Sequence, residues 1–306
     1  MKYVRLNNDS EMPIIGLGTW QSKPGEAYQA IRWAIKLGYN HIDCASIYGN
    51  QAEIGQAIAD AIREGDIKRR DLFIVSKLWN DSHKPEDVKP ALEQTLRDLQ
   101  VDYVDLYLMH WPVAQKKGTA LPQSPDDIIS LEDLPLDLTW AAMEKVFNEG
   151  LAGAIGVSNF SAKKLGDLIE KAEIVPAVNQ IENHPLLQQN DLIDFCRKNN
   201  VAVTAYSPLG SSHPDESILE NPVIKEIAER LKITPAQAVL AWQMQRGLVV
   251  IPKTVHEERL KENFAAQAVE LDEADMAKIA QLDEHHRFID GSVFEHNGAN
   301  VWDEQE

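Results

Sequence analysis

Cysteine is scarce: Cys44 and Cys196 are the only two in 306 residues. Two thiols so far apart exclude a disulfide scaffold and point to a reducing compartment. Long hydrophobic runs are missing as well. No stretch approaches the roughly eighteen apolar residues of a membrane span, and the opening MKYVRLNNDS holds no apolar segment to serve as a signal. Basic residues fall short of acidic ones, 30 Lys+Arg against 48 Asp+Glu, for a formal charge of −18. A surface that acidic repels phosphate backbones and anionic lipid, so nucleic acid and membranes are excluded as partners. An anionic ligand needs a local basic pocket set against that field. These absences describe a soluble, cytoplasmic protein whose partner is a small molecule.

The composition that remains is globular, 44% hydrophobic and 25% charged. Short β-rich runs alternate with longer helical patterns along the whole chain. The runs read as strands are Ile14–Gly18, His41–Ala45, Phe73–Lys77, Leu106–His110, Ala154–Ser158, Ala177–Ile181, Ala202–Tyr206 and Val249–Pro252. Helical patterns fill Glu26–Leu37, Ala52–Glu64, Pro85–Gln100, Leu138–Glu149, Ser161–Lys171, Gln189–Asn199, Asn221–Leu231 and Thr234–Arg246. In ALEQTLRDL the residues Ala91, Leu92, Leu96 and Leu99 share one face. Thr234-Pro235-Ala236-Gln237 is a capping-box start with proline at the first helical position. Eight apolar strands, each followed by a helix, predict a closed (β/α)8 barrel, a TIM barrel, over residues 1–306 as a single domain. An open doubly wound sheet is the competing arrangement. YVRLNN-DS-EMPI reads as an N-terminal β-hairpin plugging one barrel end. Two segments exceed ordinary loops, Pro112–Asp137 and the tail after Asp283, and are the candidate substrate loops.

In such barrels chemistry sits where strands end. Strand 2 offers His41, Asp43 and Tyr48, strand 3 Lys77, and strand 4 His110. Strand 5 runs into Ser158-Asn159, strand 6 into Gln180, Glu182 and His184, strand 7 into Tyr206-Ser207, and strand 8 delivers Lys253. Each has an ordinary structural reading: a turn aspartate, a snorkelling lysine, a rim tyrosine, a hydrogen-bonded core histidine. Their convergence on one mouth, where unpaired burial costs several kcal/mol, argues for a purpose. Two chemistries fit. Metal-assisted hydrolysis would use His41 and Asp43, which face the same way at i, i+2, with His110 and His184. Carbonyl reduction by a nicotinamide would use Tyr48 as proton donor and Lys77 as the cation that tunes it. Only one His-x-Asp pair occurs, and strands 7 and 8 end without cysteine or carboxylate, which favours reduction.

The stretches MPIIGLGTW, GYNHIDCASIYGNQAEIG, FIVSKLW, DYVDLYLMHWP, GVSNF, PAVNQIENHP, TAYSPLG and VVIPKTVHEERLKENF occur in this order. Through them nearly the whole chain resembles the aldo-keto reductase superfamily and its aldose reductase-like group. The Gly16-x-Gly18 pair lacks a third glycine and a following helix, so it is no Rossmann fingerprint. The resemblance implies reversible, NADPH-dependent reduction of aldehydes or ketones, aldoses included, by a monomer without a metal. It implies a catalytic set of Asp43, Tyr48, Lys77 and His110, and a cofactor lying against Gly18, Thr19 and Trp20 as well as Asp43. Ser158, Asn159 and Gln180 match the residues on the nicotinamide carboxamide, and Tyr206 the aromatic stacked on its ring. Ser207, Leu209 and Ser211 match contacts to the pyrophosphate. Lys253, Thr254, Val255 and Arg259 match the clamp on the adenosine 2′-phosphate, and Glu262 and Asn263 the adenine contacts. Trp20, Trp79 and Trp111, with Tyr48 and His110, would line an apolar substrate funnel. A third reading, a non-catalytic nicotinamide-binding subunit on the same fold, is opposed by the intact catalytic set.

A tyrosine with pKa ≈ 10 is a poor acid near neutrality, and an ammonium about 4 Å away is expected to lower it by up to ~3 units. Two departures from the group stand out: the loop after TAYSPLG is short, implying looser enclosure of the cofactor, and His256 stands where a small hydroxyl or proline is usual. Cys44 reads as a buried, inert thiol.

Overall fold

The computed structural model describes residues 1–210, 217–295 and 301–303. The N-terminal segment forms an antiparallel hairpin of β1 (Tyr3–Arg5) and β2 (Glu11–Pro13), with Val4 opposite Met12. Eight parallel strands follow. They are β3 (Leu17–Gly18), β4 (His41–Asp43), β5 (Phe73–Leu78) and β6 (Leu106–Met109), then β9 (Ile155–Ser158), β10 (Val178–Glu182), β11 (Ala202–Tyr206) and β12 (Val249–Val250). Between β6 and β9 the long segment 112–137 carries its own small hairpin, β7 (Ala114–Gln115) with β8 (Ile128–Ile129).

The sheet closes on itself. Gly16 N–H donates to the Val250 carbonyl and Val250 N–H to the Ile14 carbonyl, both at 2.9 Å, while Gly18 N–H reaches the Pro252 carbonyl at 3.2 Å. Parallel bridges Ile15–Val250 and Gly18–Lys253 complete the ring. An open doubly wound sheet is thereby excluded, since its edge strands would stay unpaired.

Helices α1 (Glu26–Leu37), α2 (Gln51–Glu64), α3 (Pro85–Leu99), α4 (Leu136–Asn148), α5 (Ala162–Ile169) and α6 (Asn190–Lys198) cover the sheet. They are followed by α7 (Pro222–Leu231), α8 (Pro235–Gln245), α9 (Glu257–Ala265) and α10 (Glu273–Ala280). The Thr234–Gln237 capping box forms as read. Helix α10 lies outside the patterns read as helical, because it is only eight residues long; Asp272 starts it by accepting the Asp275 N–H at 2.8 Å.

The period of two along each strand sorts side chains between two cores. Phe73, Val75, Leu106, Leu108 and Val178 fill the barrel interior, where Leu6 and Met12 of the hairpin region join them as the plug. Ile74, Tyr107, Met109, Ile155 and Val157 point outward and pack with the helices. Gly55 shows how close that outer layer is: a Cβ there would lie 2.2 Å from the Asp98 carbonyl oxygen of α3. Among the described residues no helix is long and apolar enough to cross a membrane.

Candidate active site

The ring of strand ends brings Asp43, Lys77 and His110 together, and the turn Ser46–Tyr48 after β4 swings Tyr48 in beside them. Lys77 is completely buried. Its ammonium donates to Asp43 Oδ1 at 2.5 Å, to the Cys44 carbonyl at 2.9 Å and to the Tyr48 hydroxyl at 3.4 Å. All three ammonium protons are thus directed, a requirement for a lysine with no water around it. Asp43 Oδ2 accepts from Gln180 Nε2 at 2.8 Å, and the Asp43 carbonyl accepts from Thr19 Oγ1 at 2.8 Å. The Cys44 carbonyl is a backbone partner that no side-chain pattern advertises.

Burial alone would push the Lys77 ammonium toward neutrality, but the facing Asp43 and Tyr48 outweigh it and hold its pKa above the ordinary lysine value. Tyr48 departs from the sequence expectation. Burial raises its pKa more than Lys77 lowers it, so the phenol stays above its ordinary value rather than falling below. The ammonium limits a penalty that desolvation sets. His110 is pushed well below the usual imidazole value by burial first, then by Lys77 and His83. Near neutrality the mouth therefore presents a charged lysine, a protonated phenol and a neutral imidazole. The His110 ring stands edge-on to Tyr48 at 5.8 Å and to Trp79 at 5.1 Å, and its buried Nδ1 has no hydrogen-bond partner among the described residues.

Asn159, at the end of β9 with φ +63°, ties three strands together. Its Nδ2 donates to the His110 carbonyl at 2.9 Å, and its Oδ1 accepts from the Tyr206 hydroxyl at 2.8 Å. Ser158 Oγ donates to the Gln180 carbonyl at 2.8 Å. Ser158, Asn159, Gln180 and half-buried Tyr206 thus share one rim. Ser207 follows in the left-handed region, φ +46°, and Leu209 is half-buried; Ser211 lies outside the described residues. Lys253 and Arg259 are exposed and flank the start of α9, and neither pairs with a carboxylate of the described residues. Thr254 and Asn263 are buried, Val255 is half-buried, and His256 N–H is held by Thr254 Oγ1 at 3.2 Å. Glu262 Oε1 accepts from Thr234 Oγ1 at 2.6 Å, so the residue also braces α8.

The three tryptophans divide. Trp79 and Trp111 are buried with Val113, Ile128 and Phe294 in one apolar cluster, whereas Trp20 is 42% exposed and lies outside it. The wall opposite is supplied by the tail: Phe294 lies 4.9 Å from Trp111 and Trp302 lies 5.8 Å from it, ring centre to ring centre. Cys44 and Cys196 are free and buried, and burial pushes the Cys44 thiol up, as befits an inert group.

The hydrolase reading fails on geometry. His41 is turned to the hairpin end, with Nδ1 3.2 Å from the Pro13 carbonyl and its ring against Phe73. His184 meets Glu182 at 2.8 Å instead. No three His, Cys, Asp or Glu among the described residues could hold a metal ion.

A closed α/β barrel with a buried Lys–Asp pair aimed at a tyrosine defines a class of oxidoreductases that act on carbonyl groups. The chain belongs to the aldo/keto reductase family, whose model matches residues 14–284. It is 47% identical to an aldo/keto reductase of Synechocystis over 99% of this chain and 97% of that one. It is 48% identical to aldo-keto reductase family 1 member A1 of Gallus gallus over 94% of this chain and 90% of that one. Its fold superposes on the aldose reductase of Schistosoma japonicum with a TM-score of 0.93, 38% identity and complete coverage of both chains. The protein is a carbonyl reductase, and reductases of its family draw on a nicotinamide cofactor.

Proposed function

We propose that Asp43, Tyr48, Lys77 and His110 form the catalytic set of an NADPH-dependent aldehyde and ketone reductase, working as a cytoplasmic monomer with residues 1–306 as one domain. The observation that carries this is the Tyr48 hydroxyl 3.4 Å from a lysine that Asp43 holds buried and charged. The cofactor, when bound, supplies hydride to the carbonyl carbon. Tyr48 gives its proton to the oxygen as negative charge grows there, and the Lys77 ammonium stabilises the phenolate left behind. Asp43 keeps Lys77 charged and aimed. Neutral His110 donates a hydrogen bond to the same oxygen and sets its angle. The buried aromatic wall of Trp79 and Trp111 excludes water from the reacting atoms.

The residues present suit a phosphorylated dinucleotide. Lys253 and Arg259, without a carboxylate partner among the described residues of a strongly acidic chain, stand at the start of a nine-residue helix, where backbone N–H groups also favour an anion. Thr254 and Val255 complete that corner, with Glu262 and Asn263 for the adenine. Gly18, Thr19 and Trp20 would lie against the same cofactor; Gly18 bridges Lys253, and a Cβ at Gly18 would come within 2.8 Å of the Ile251 carbonyl oxygen. Ser158, Asn159 and Gln180 would hold the carboxamide, Tyr206 the ring face, and Ser207 and Leu209 the pyrophosphate.

Charge-assisted hydrogen bonds contribute about 1.5–3 kcal/mol each. Discounted for exposure, two of them imply a preference for NADPH over NADH of roughly ten- to several-hundred-fold. Replacing Lys253 and Arg259 together by alanine should abolish that preference and leave kcat/KM with NADH nearly unchanged. A wild type that uses both cofactors equally well would overturn the clamp.

A further inference from the structure

Glu182 ends β10 completely buried, and the chemistry of reduction has no use for it. Its carboxylate is taken up by the tail. Oε1 accepts the Phe288 N–H at 2.8 Å, and Oε2 accepts the Ile289 N–H at 2.9 Å. Oε1 also meets His184 Nε2 at 2.8 Å, and the buried His184 ring packs on Phe288 at 5.0 Å. Two consecutive N–H donors facing two oxygens is an arrangement only a carboxylate completes. The amide of glutamine has one acceptor and would turn an N–H₂ against one of the donors.

What this anchor holds is the substrate wall. Two residues beyond Ile289, Gly291 takes φ +73°, and a Cβ added there would lie 3.0 Å from the Trp111 ring, tighter than an ordinary contact. Phe294 then seats on Trp111 and Trp79, with ring centres at 4.9 and 6.1 Å. Trp302 covers Trp111 and lies under the Arg287 guanidinium, 3.8 Å from its ring centre. The far end is tied as well: Asp303 pairs with the Lys164 ammonium at 2.7 Å and accepts from the Ser161 hydroxyl.

We propose that Glu182 is a positioning residue for substrate specificity: by fixing the backbone at 288 and 289 it sets Phe294 and Trp302 as the wall that selects large apolar carbonyl compounds. This rests on the assignment of the Tyr48 mouth as the reaction site. A small aldehyde held at Tyr48 and His110 would meet less of that wall than a long one, so the anchor should matter most to substrates long enough to lie along it.

The test joins amide exchange with kinetics in Glu182→Gln. Exchange at the Phe288 and Ile289 amides, read without substrate, should quicken at least tenfold while the β10 amides stay protected. KM for an aromatic aldehyde should rise about tenfold, with KM for a three-carbon aldehyde and both kcat values within twofold. Unchanged exchange at 288 and 289, or equal KM increases for the two aldehydes, overturns the proposal. Should Glu182→Gln fail to fold, Ile289→Pro removes one donor and leaves the buried carboxylate in place. The same size-dependent rise in KM is required there, and a constant KM ratio between the two aldehydes refutes the anchor. A wild type that turns over neither aldehyde sinks the reductase assignment, whereas the exchange measurement judges the anchor by itself.

Discussion

Lys77→Met tests the buried pair from two sides at once. Asp43 and Lys77 have side chains only 3% and 1% exposed, joined at 2.5 Å. Removing the ammonium leaves the Asp43 carboxylate with Gln180 Nε2 as its remaining side-chain donor. Breaking one partner of a buried ion pair costs about 3–5 kcal/mol, chiefly the uncompensated charge. Adding Asp43→Asn removes that charge, so the double variant should recover more than half of the lost stability. Activity behaves differently. At 3.4 Å and an effective dielectric near ~20, the ammonium stabilises the Tyr48 phenolate by about 5 kcal/mol. Only part of that is expressed in the transition state, so kcat should fall roughly 100- to 10,000-fold in Lys77→Met. The double variant should stay equally slow, because a well-packed neutral pair has no cation to offer the phenol. Urea unfolding and steady-state reduction of a simple aldehyde give both readings. A double variant no more stable than Lys77→Met would show the pair to be uncoupled. A double variant that regains turnover would show that the cation is not what Tyr48 needs.

Tyr48→Phe removes the proton donor itself, and kcat should drop at least ~100-fold with cofactor affinity, followed by fluorescence titration, almost unchanged. Stability should be acid-sensitive. Burial lowers the folded-state pKa of His41 to about 4 and of His83 to about 3. Because the folded protein refuses protons that the unfolded chain accepts below about 6.5, stability is present at neutral pH and is lost as pH falls. Two such histidines lose about 4 kcal/mol together between pH 7 and pH 5. Buried His110 is shifted the same way and adds to the loss; urea midpoints at the two pH values check this, and His83→Gln should remove about 2 kcal/mol of the drop. Gly55→Ala should lower the melting temperature by several degrees, since its Cβ would lie 2.2 Å from backbone of α3 and one helix must move; an unchanged temperature would refute so close a packing.

Much of the fold was legible. Strand runs such as FIVSK and VAVTAY became β5 and β11, and the Thr234–Gln237 cap formed as written. These features are local: a period of two, a period of 3.6, and a cap whose donors lie three residues away. The long segment 112–137 concealed the β7–β8 hairpin, and α10 went unread, because two-residue strands and an eight-residue helix carry too little periodicity to stand out. At the site, the meeting of Asp43, Lys77 and His110 was readable because each falls at a strand end. Trp20 shows the limit. Its spacing matched that of Trp79 and Trp111, yet it faces solvent while they are buried.

The sequence by itself determined the alternation of strands and helices, and with it which side chains reach the barrel mouth. The charge of −18 is equally a property of sequence, and it leaves Lys253 and Arg259 as cations in an acidic surround. Only the tertiary structure decided the protonation states and where the tail is anchored. Whether Tyr48 is pulled down by Lys77 or pushed up by burial depends on how much water the surrounding elements exclude, and that is fixed by packing across the whole ring. The pairing of Glu182 with the amides of 288 and 289 spans more than a hundred residues. Such a contact has no period to betray it, because the backbone N–H is common to nearly every residue and only the folded geometry chooses which ones a buried carboxylate will meet.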